Sequence, residues 1–266
     1  MPSAQMPTFF ISHGGGPWPD VEGLREQFSI TEAELKKLPL TLPARPEAIL
    51  VITGHWEAPQ FTLSTAENPA MEYDYTGFPE HTYHIQYPAA GSPILANRVR
   101  ELLSLAGIKS EGDAMRGFDH GAFVPLMLMY PNADIPVVLL SMKSGYDPLE
   151  HIKLGEALAP LRDEGILIIG SGLTYHNMRG FGHVSSRVAS VEFEQYLNDA
   201  ITDANPVLRN EKLIDWEQAP FARAAHPRED HLIPLLVVAG AAETSVGKRL
   251  FMDEALGVVM ASYRFG

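Results

Sequence analysis

The segment Ala225 to Ala242, AHPREDHLIPLLVVAGAA, holds the densest set of reactive side chains in the chain. His226 and His231 enclose Pro227, Arg228, Glu229 and Asp230, immediately ahead of an apolar run that reads as a buried helix. Two imidazoles and two carboxylates so close together are costly to bury unless they serve one another or a ligand. Far upstream, His13 in FFISHGGG, His55 in AILVITGHWE and His176 in ILIIGSGLTYH each follow an apolar, strand-like run. His120 lies in GFDHGAFVPL, between small and acidic neighbours and ahead of another apolar helix. An isolated histidine of that kind is more often a cap or a core residue. Repetition at strand ends argues otherwise, because open α/β sheets bind ligands beyond the carboxyl ends of their strands. His13, His55, His120, His176 and His231 are therefore the candidate set, and one metal is what they suit.

The composition narrows which metal. The chain has no cysteine, so thiolate ligands, disulfides and a cysteine nucleophile are all excluded. Neutral imidazole suits zinc and ferrous iron, whereas magnesium and calcium prefer oxygen. Two or three protein ligands with positions left open mark a catalytic site, since structural zinc is closed by four. There is no HExxH pattern, so the common metalloprotease arrangement is not supported. Gly170-Ser171-Gly172 lacks the remainder of a dinucleotide fingerprint and is discounted as one, and Gly14-Gly15-Gly16 lacks a phosphate-loop lysine and reads as close backbone packing around a ligand.

Positioning these residues requires a sheet. Thr8 to Ser12, Ala48 to Thr53, Ile135 to Ser141 and Gly165 to Gly170 are short and apolar without alternation, as expected of strands covered on both faces. Gly257 to Phe265 reads as a final strand. Helices are expected at Glu32 to Leu38, from the Ser92-Pro93 cap to Ala106, after Asp147-Pro148, and over the amphipathic Ser186 to Ala204. Arg209 to Glu217 reads as a solvated charged segment. Glu67 to Gly91, rich in tyrosine, proline and histidine, is too long for a simple connection and is expected to cover a substrate, with His81 and His84 as weaker ligand candidates. The alternation of strands and helices predicts a single three-layer α/β domain, residues 1–266, with a mostly parallel or mixed central sheet between helices.

With 33 acidic against 20 basic residues, a net charge of -13, the chain is a poor partner for nucleic acid or anionic lipid. Its first residues, MPSAQMPTFF, lack a signal peptide pattern, and no run approaches the roughly 20 apolar residues of a membrane span. A cytoplasmic location is the expectation, with no expectation for oligomeric state.

SHGGGP, TGHWE, GFPEHTYHIQYPAAG, GFDHGAFVPL, GSGLTYHN and HPREDHLIPL, in that order and over almost the whole chain, resemble the class III extradiol ring-cleavage dioxygenases, in their DOPA dioxygenase-like branch. The resemblance implies a LigB-like fold and a non-haem divalent metal, iron(II) ahead of zinc(II), that binds a small aromatic diol together with O2. It further implies His13, His55 and His231 as metal ligands, His176 as the acid/base and His120 as a pocket histidine near oxygen. His226 is implied to support them from behind. More distant extradiol enzymes use two histidines and a glutamate, so Glu229 and Asp230 are the alternatives for the third position. Arg179 and Arg223 are the cations available to a substrate carboxylate. The competing readings are a zinc hydrolase built on the same imidazoles, with bound water as nucleophile, and a non-catalytic binder of the same fold.

Overall fold

The computed structural model describes residues 5–266; the first four residues of the expected domain lie outside the described residues. In chain order the strands are β1 (Thr8–Ser12), β2 (Ala48–Thr53), β3 (Glu57–Ala58), β4 (Phe61–Ser64), β5 (Ser110–Asp113), β6 (Val137–Leu139), β7 (Met142–Lys143), β8 (Ile166–Gly172), β9 (Gly247–Ala255) and β10 (Val258–Phe265). The helices are α1 (Ser29–Lys37), α2 (Pro93–Leu105), α3 (His120–Met129), α4 (Pro148–Leu158), α5 (Val184–Ile201), α6 (Pro206–Ile214), α7 (Ala222–Ala225) and α8 (Ile233–Ala241).

Six strands form one sheet in the order β6-β2-β8-β1-β10-β9. The first four run parallel, and β10 and β9 close the far side antiparallel. β1, β2, β6 and β8 are buried along their whole length, which is why their sequences do not alternate. β8 shows how the layers are built. Gly170 lies against the Pro234 carbonyl of α8, whereas the next side chain, Ser171, reaches the Gly121 carbonyl of α3. Successive side chains of a strand point to opposite faces, so α8 and α3 cover opposite sides of the sheet. The expected three-layer α/β architecture with a mixed sheet is thus observed.

Local sequence chemistry explains where the helices begin. Ser92, Asp119, Asp147 and Asn205 each accept a hydrogen bond from the first turn of α2, α3, α4 and α6 with their side chains, and α2, α4 and α6 have proline within that turn.

Three expectations need correction. β9 was not anticipated: its sequence GKRLFMDEA shows no alternation of charged with apolar residues, although burial alternates from Phe251 to Ala255 as expected of an edge strand, with Met252 exposed and Asp253 buried. The expected strand at Ile135 to Ser141 shortens to β6. The charged segment from Arg209 to Glu217 is largely helix α6 rather than solvated coil, and Arg209 is buried. Its guanidinium donates to the carbonyls of Ala239, Glu243 and Ser245, satisfying the open end of α8. Among the described residues, no helix is long and apolar enough to cross a membrane.

Candidate active site

His13 follows β1, His55 follows β2, and His176 follows β8 by a few residues, so three neighbouring parallel strands deliver a histidine at the same end of the sheet. His120 is the first residue of α3, and His231 lies just before α8. The structure brings all five together. The ring centroids of His13, His55 and His231 are 4.7 to 5.2 Å apart. His120 lies 4.0 Å from His55, and His176 is stacked on His231 at 3.4 Å.

The nitrogens of three rings meet. His13 Nε2 and His231 Nε2 lie 3.1 and 3.2 Å from His55 Nε2. Of their other nitrogens, that of His13 makes a hydrogen bond that fixes which lone pair faces inward. The Ser171 hydroxyl donates its proton to the Gly121 carbonyl and therefore accepts from His13 Nδ1, 3.0 Å away. His55 Nδ1 lies 3.2 Å from Asp74 Oδ2, and His231 Nδ1 lies 3.2 Å from Asp230 Oδ1, close enough for the carboxylate charge to act although the atoms are not aligned as a hydrogen bond. The proton on His13 Nδ1 leaves its Nε2 lone pair facing inward, and the same tautomer in His55 and His231, with Nδ1 toward the carboxylates, aims three Nε2 lone pairs at one another. Two nitrogens bound to one ion at about 2.1 Å stand roughly 3.0 to 3.4 Å apart, so the donor set fits a single divalent metal. Burial pushes His13 and His55 well below the ordinary histidine range and His231 down to about 4, each reinforced by the neighbouring imidazoles; neutral rings are what a metal requires. Within 4.8 Å, His120 also joins His13 and His55, and His176 and Asp230 join His231.

Two carboxylates stand behind these rings. Asp74 Oδ1 accepts from His120 Nδ1 at 2.7 Å and from the His120 backbone at 3.1 Å, while its other oxygen faces His55. Burial alone would raise the Asp74 pKa, but the His120 contacts outweigh it and hold the group low. Asp230 Oδ1 lies 3.6 Å from His176 Nδ1. Its burial is likewise outweighed, here by His176 and His231, and its pKa is held far below the ordinary carboxylate range. Asp230 lies with His176 and His231 within 4.8 Å, whereas Glu229 pairs with Arg223.

Other predicted residues lie elsewhere. His226 is buried beside Phe193 and Trp216, with Nε2 3.1 Å from the Thr174 carbonyl; burial lowers its pKa to about 3. It braces the strand that leads to His176 and touches no member of the trio. His81 and His84 are exposed, facing the Asp20 carbonyl and Glu80. Arg223 is engaged by Glu217 and Glu229 and covers Trp216, and Arg179 is exposed.

The long segment Glu67 to Gly91 does cover the site. It contributes Asp74, Tyr75, Thr76 and Phe78 to a cavity of about 410 Å³ that all five histidines line. Asp74 is the residue that sequence reasoning missed; its only signal was an acid inside a loop already expected to cover the site. Ser171 was also missed, because GSG was weighed only as a fragment of a dinucleotide fingerprint and discounted. Its glycines pack closely, since a Cβ on Gly172 would collide with the His231 carbonyl.

Residues 8–266 match the family described as the catalytic LigB subunit of aromatic ring-opening dioxygenase. The chain is 42% identical over 264 residues to a Beta vulgaris protein named 4,5-DOPA dioxygenase extradiol, covering 97% of this chain and 96% of that protein. A protein of the same name from Escherichia coli K12 is 36% identical over 244 residues, covering 91% and 87% of the two chains. A crystal structure of an uncharacterised E. coli K12 protein aligns with a TM-score of 0.81 and 32% identity, covering 98% of this chain and 100% of that one. The chain belongs to the LigB family and is a metal-dependent extradiol aromatic ring-opening dioxygenase. Neither the zinc hydrolase nor the non-catalytic reading is favoured.

Proposed function

We propose that His13, His55 and His231 hold one divalent metal through their Nε2 atoms, iron(II) rather than zinc(II), and that the site opens a catechol-type ring beside a hydroxyl using O2. The observation that supports this most is the nitrogen trio, since lone pairs only 3.1 and 3.2 Å apart repel unless a cation lies among them. Three nitrogen ligands leave positions for both catechol oxygens and for dioxygen, which redox-inactive zinc would not activate. The chemistry supplied by the bound metal is a positive charge that acidifies the catechol hydroxyls and an electronic path from ring to dioxygen.

The protein's own groups manage protons and geometry. His176 lines the cavity with its Nδ1 toward Asp230, leaving Nε2 to take the second catechol proton. The Asp230 carboxylate stabilises the imidazolium so formed and the stack on His231 fixes the ring plane. His120, whose Nδ1 donates to Asp74, donates from Nε2 to the oxygen on which negative charge develops when it is an imidazolium paired with that carboxylate. The loop carrying Asp74, Tyr75 and Phe78 excludes water from the charged ring. The names of the relatives make DOPA the first catechol to test.

The test is oxygen uptake by metal-free protein reconstituted anaerobically with iron(II) or with zinc(II), then mixed with catechols. Stoichiometric uptake with a new near-visible chromophore, for iron alone, is the expected result. A filled site with no uptake for any catechol would overturn the reading.

A further inference from the structure

Beside the histidines lies an ion cluster that the proposed chemistry does not use. The Arg116 guanidinium meets Glu72 at 2.6 Å through one terminal nitrogen and Asp119 through the other, and its carbon stands 4.9 Å from the centre of the Trp56 ring. Asp119 is fully buried, so its charge depends on this partner. The residues that Arg116 gathers belong to three separate places. Glu72 lies in the covering segment two residues before Asp74, Asp119 caps α3 immediately before His120, and Trp56 follows His55.

Backbone bonds run between the first two of these segments. The Phe118 amide donates to the Ala70 carbonyl and the Glu72 amide to the Phe118 carbonyl, both at 2.8 Å, and the Gly117 amide donates to the Glu72 carboxylate at 2.7 Å. Two residues further along both segments, Asp74 accepts from the backbone and the ring of His120. The contact that holds His120 is therefore the last rung of a ladder whose earlier rungs Arg116 ties together. From Asp119 a second line leads to His55. Asp119 Oδ1 accepts from the Thr53 hydroxyl at 3.0 Å and from the Ala122 amide at 3.1 Å, and the Thr53 hydroxyl accepts from the His55 amide at 3.2 Å. There is no slack between α3 and the end of β2, since a Cβ on Gly121 would lie 2.4 Å from Thr53 Oγ1 and 2.8 Å from His55 Cδ2.

Resting on the ring-cleavage reading, we infer that Arg116 is a positioning residue for that reaction: by binding Glu72 and Asp119 together it sets the reach of Asp74, and with it the places of His55 and His120. Arg116 lies outside the described lining of the cavity, so it acts through these carboxylates and not on the substrate. The role needs a guanidinium, because the planar fork offers two nitrogens to two carboxylates in fixed geometry and an ammonium does not.

The experiment compares wild type with Arg116→Met, Arg116→Lys and the double variant Arg116→Met/Asp119→Asn. The second change in the double variant removes the carboxylate left without its partner but keeps the oxygen that Thr53 and Ala122 share. Four quantities are read: kcat and KM of the iron-loaded protein on DOPA, zinc(II) affinity, the urea midpoint, and the imidazole Nδ1 proton resonance of His120 in the zinc-loaded protein, assigned by its loss in Asp74→Asn. In Arg116→Met, kcat should fall by about 10- to 100-fold and zinc affinity by about tenfold, with KM within about twofold of wild type and the His120 proton shifted upfield as its bond to Asp74 lengthens. Arg116→Lys keeps a cation beside Asp119 and so should fold, yet lose about three- to tenfold in kcat and zinc affinity. In the double variant the urea midpoint should recover while kcat, zinc affinity and the proton resonance do not. Recovery of all of them together would make Arg116 a purely structural residue and overturn the inference, as would a rise in KM alone or an unmoved His120 proton. Absence of oxygen uptake by wild type would sink ring cleavage, while zinc affinity and the proton resonance still decide whether Arg116 positions the histidines.

Discussion

Each side of the histidine trio has a carboxylate shared between a proposed ligand and a proposed catalytic histidine, yet the two arrangements differ. On one side Asp74 holds His120 by a 2.7 Å hydrogen bond from Nδ1 and a second bond from the backbone. On the other, Asp230 stands 3.6 Å from His176 Nδ1 and 3.2 Å from His231 Nδ1. The tight pair suits a group that must stay fixed and donate; the looser pair suits one that takes up and returns a proton. The sources differ too. Asp230 is adjacent in sequence to His231, whereas Asp74 arrives on a separate loop.

The sharpest way to break this comparison is to remove the proton acceptor. His176→Ala should lower kcat by about 10²- to 10⁴-fold with metal content retained, measured by oxygen uptake beside elemental analysis. Most activity surviving would take His176 out of its role. Asp74→Asn comes next, with metal affinity and turnover both falling by about 10- to 100-fold, because one carboxylate orients His55 and His120 together. If only turnover fell, with metal affinity unchanged, the link to His55 would be wrong. Asp230→Asn should be milder, about tenfold in kcat at unchanged iron content, since its contacts are longer. A larger effect than that of Asp74→Asn would reverse the distinction between the two sides.

The smallest effect is in stability. His226 is buried neutral with its pKa lowered to about 3. Once unfolded it regains an ordinary value near 6.5, so the unfolded chain binds the extra proton between those values and stability is lost as pH falls through that window. The slope from this group is at most about 1.4 kcal/mol per pH unit. Urea midpoints of metal-free wild type and His226→Asn from pH 7 to pH 4 should converge as the pH falls; parallel curves would refute this account.

The parallel strands and the histidines at their ends were legible because buried strands are continuous apolar runs and a histidine closing each is conspicuous. His231 and Asp230 were legible for the same reason, crowded ahead of an apolar helix. Asp74 was hidden because nothing in EYDYTG separates a carboxylate that turns inward from one that is solvated; its role depends on where a long loop lands. β9 was hidden by its charges, which suit an edge strand but resemble a surface loop. Arg209 was misread because a charged run ordinarily lies in water, and only the open carbonyl end of α8 gave it reason to be buried.

The seam that holds His231 contains almost no side chains. Gly170 and Gly172 of β8 lie against the Pro234 and His231 carbonyls, and on the other flank of α8 Gly240 lies against the Ile152 carbonyl and Gly155 against the Val237 carbonyl. Backbone meets backbone, so there is no adjustable packing through which mutation could shift this histidine by small steps. A Cβ at any of these four glycines meets backbone, so substitution there displaces β8, α4 or α8, whereas the exposed Met178 can be replaced without moving an imidazole.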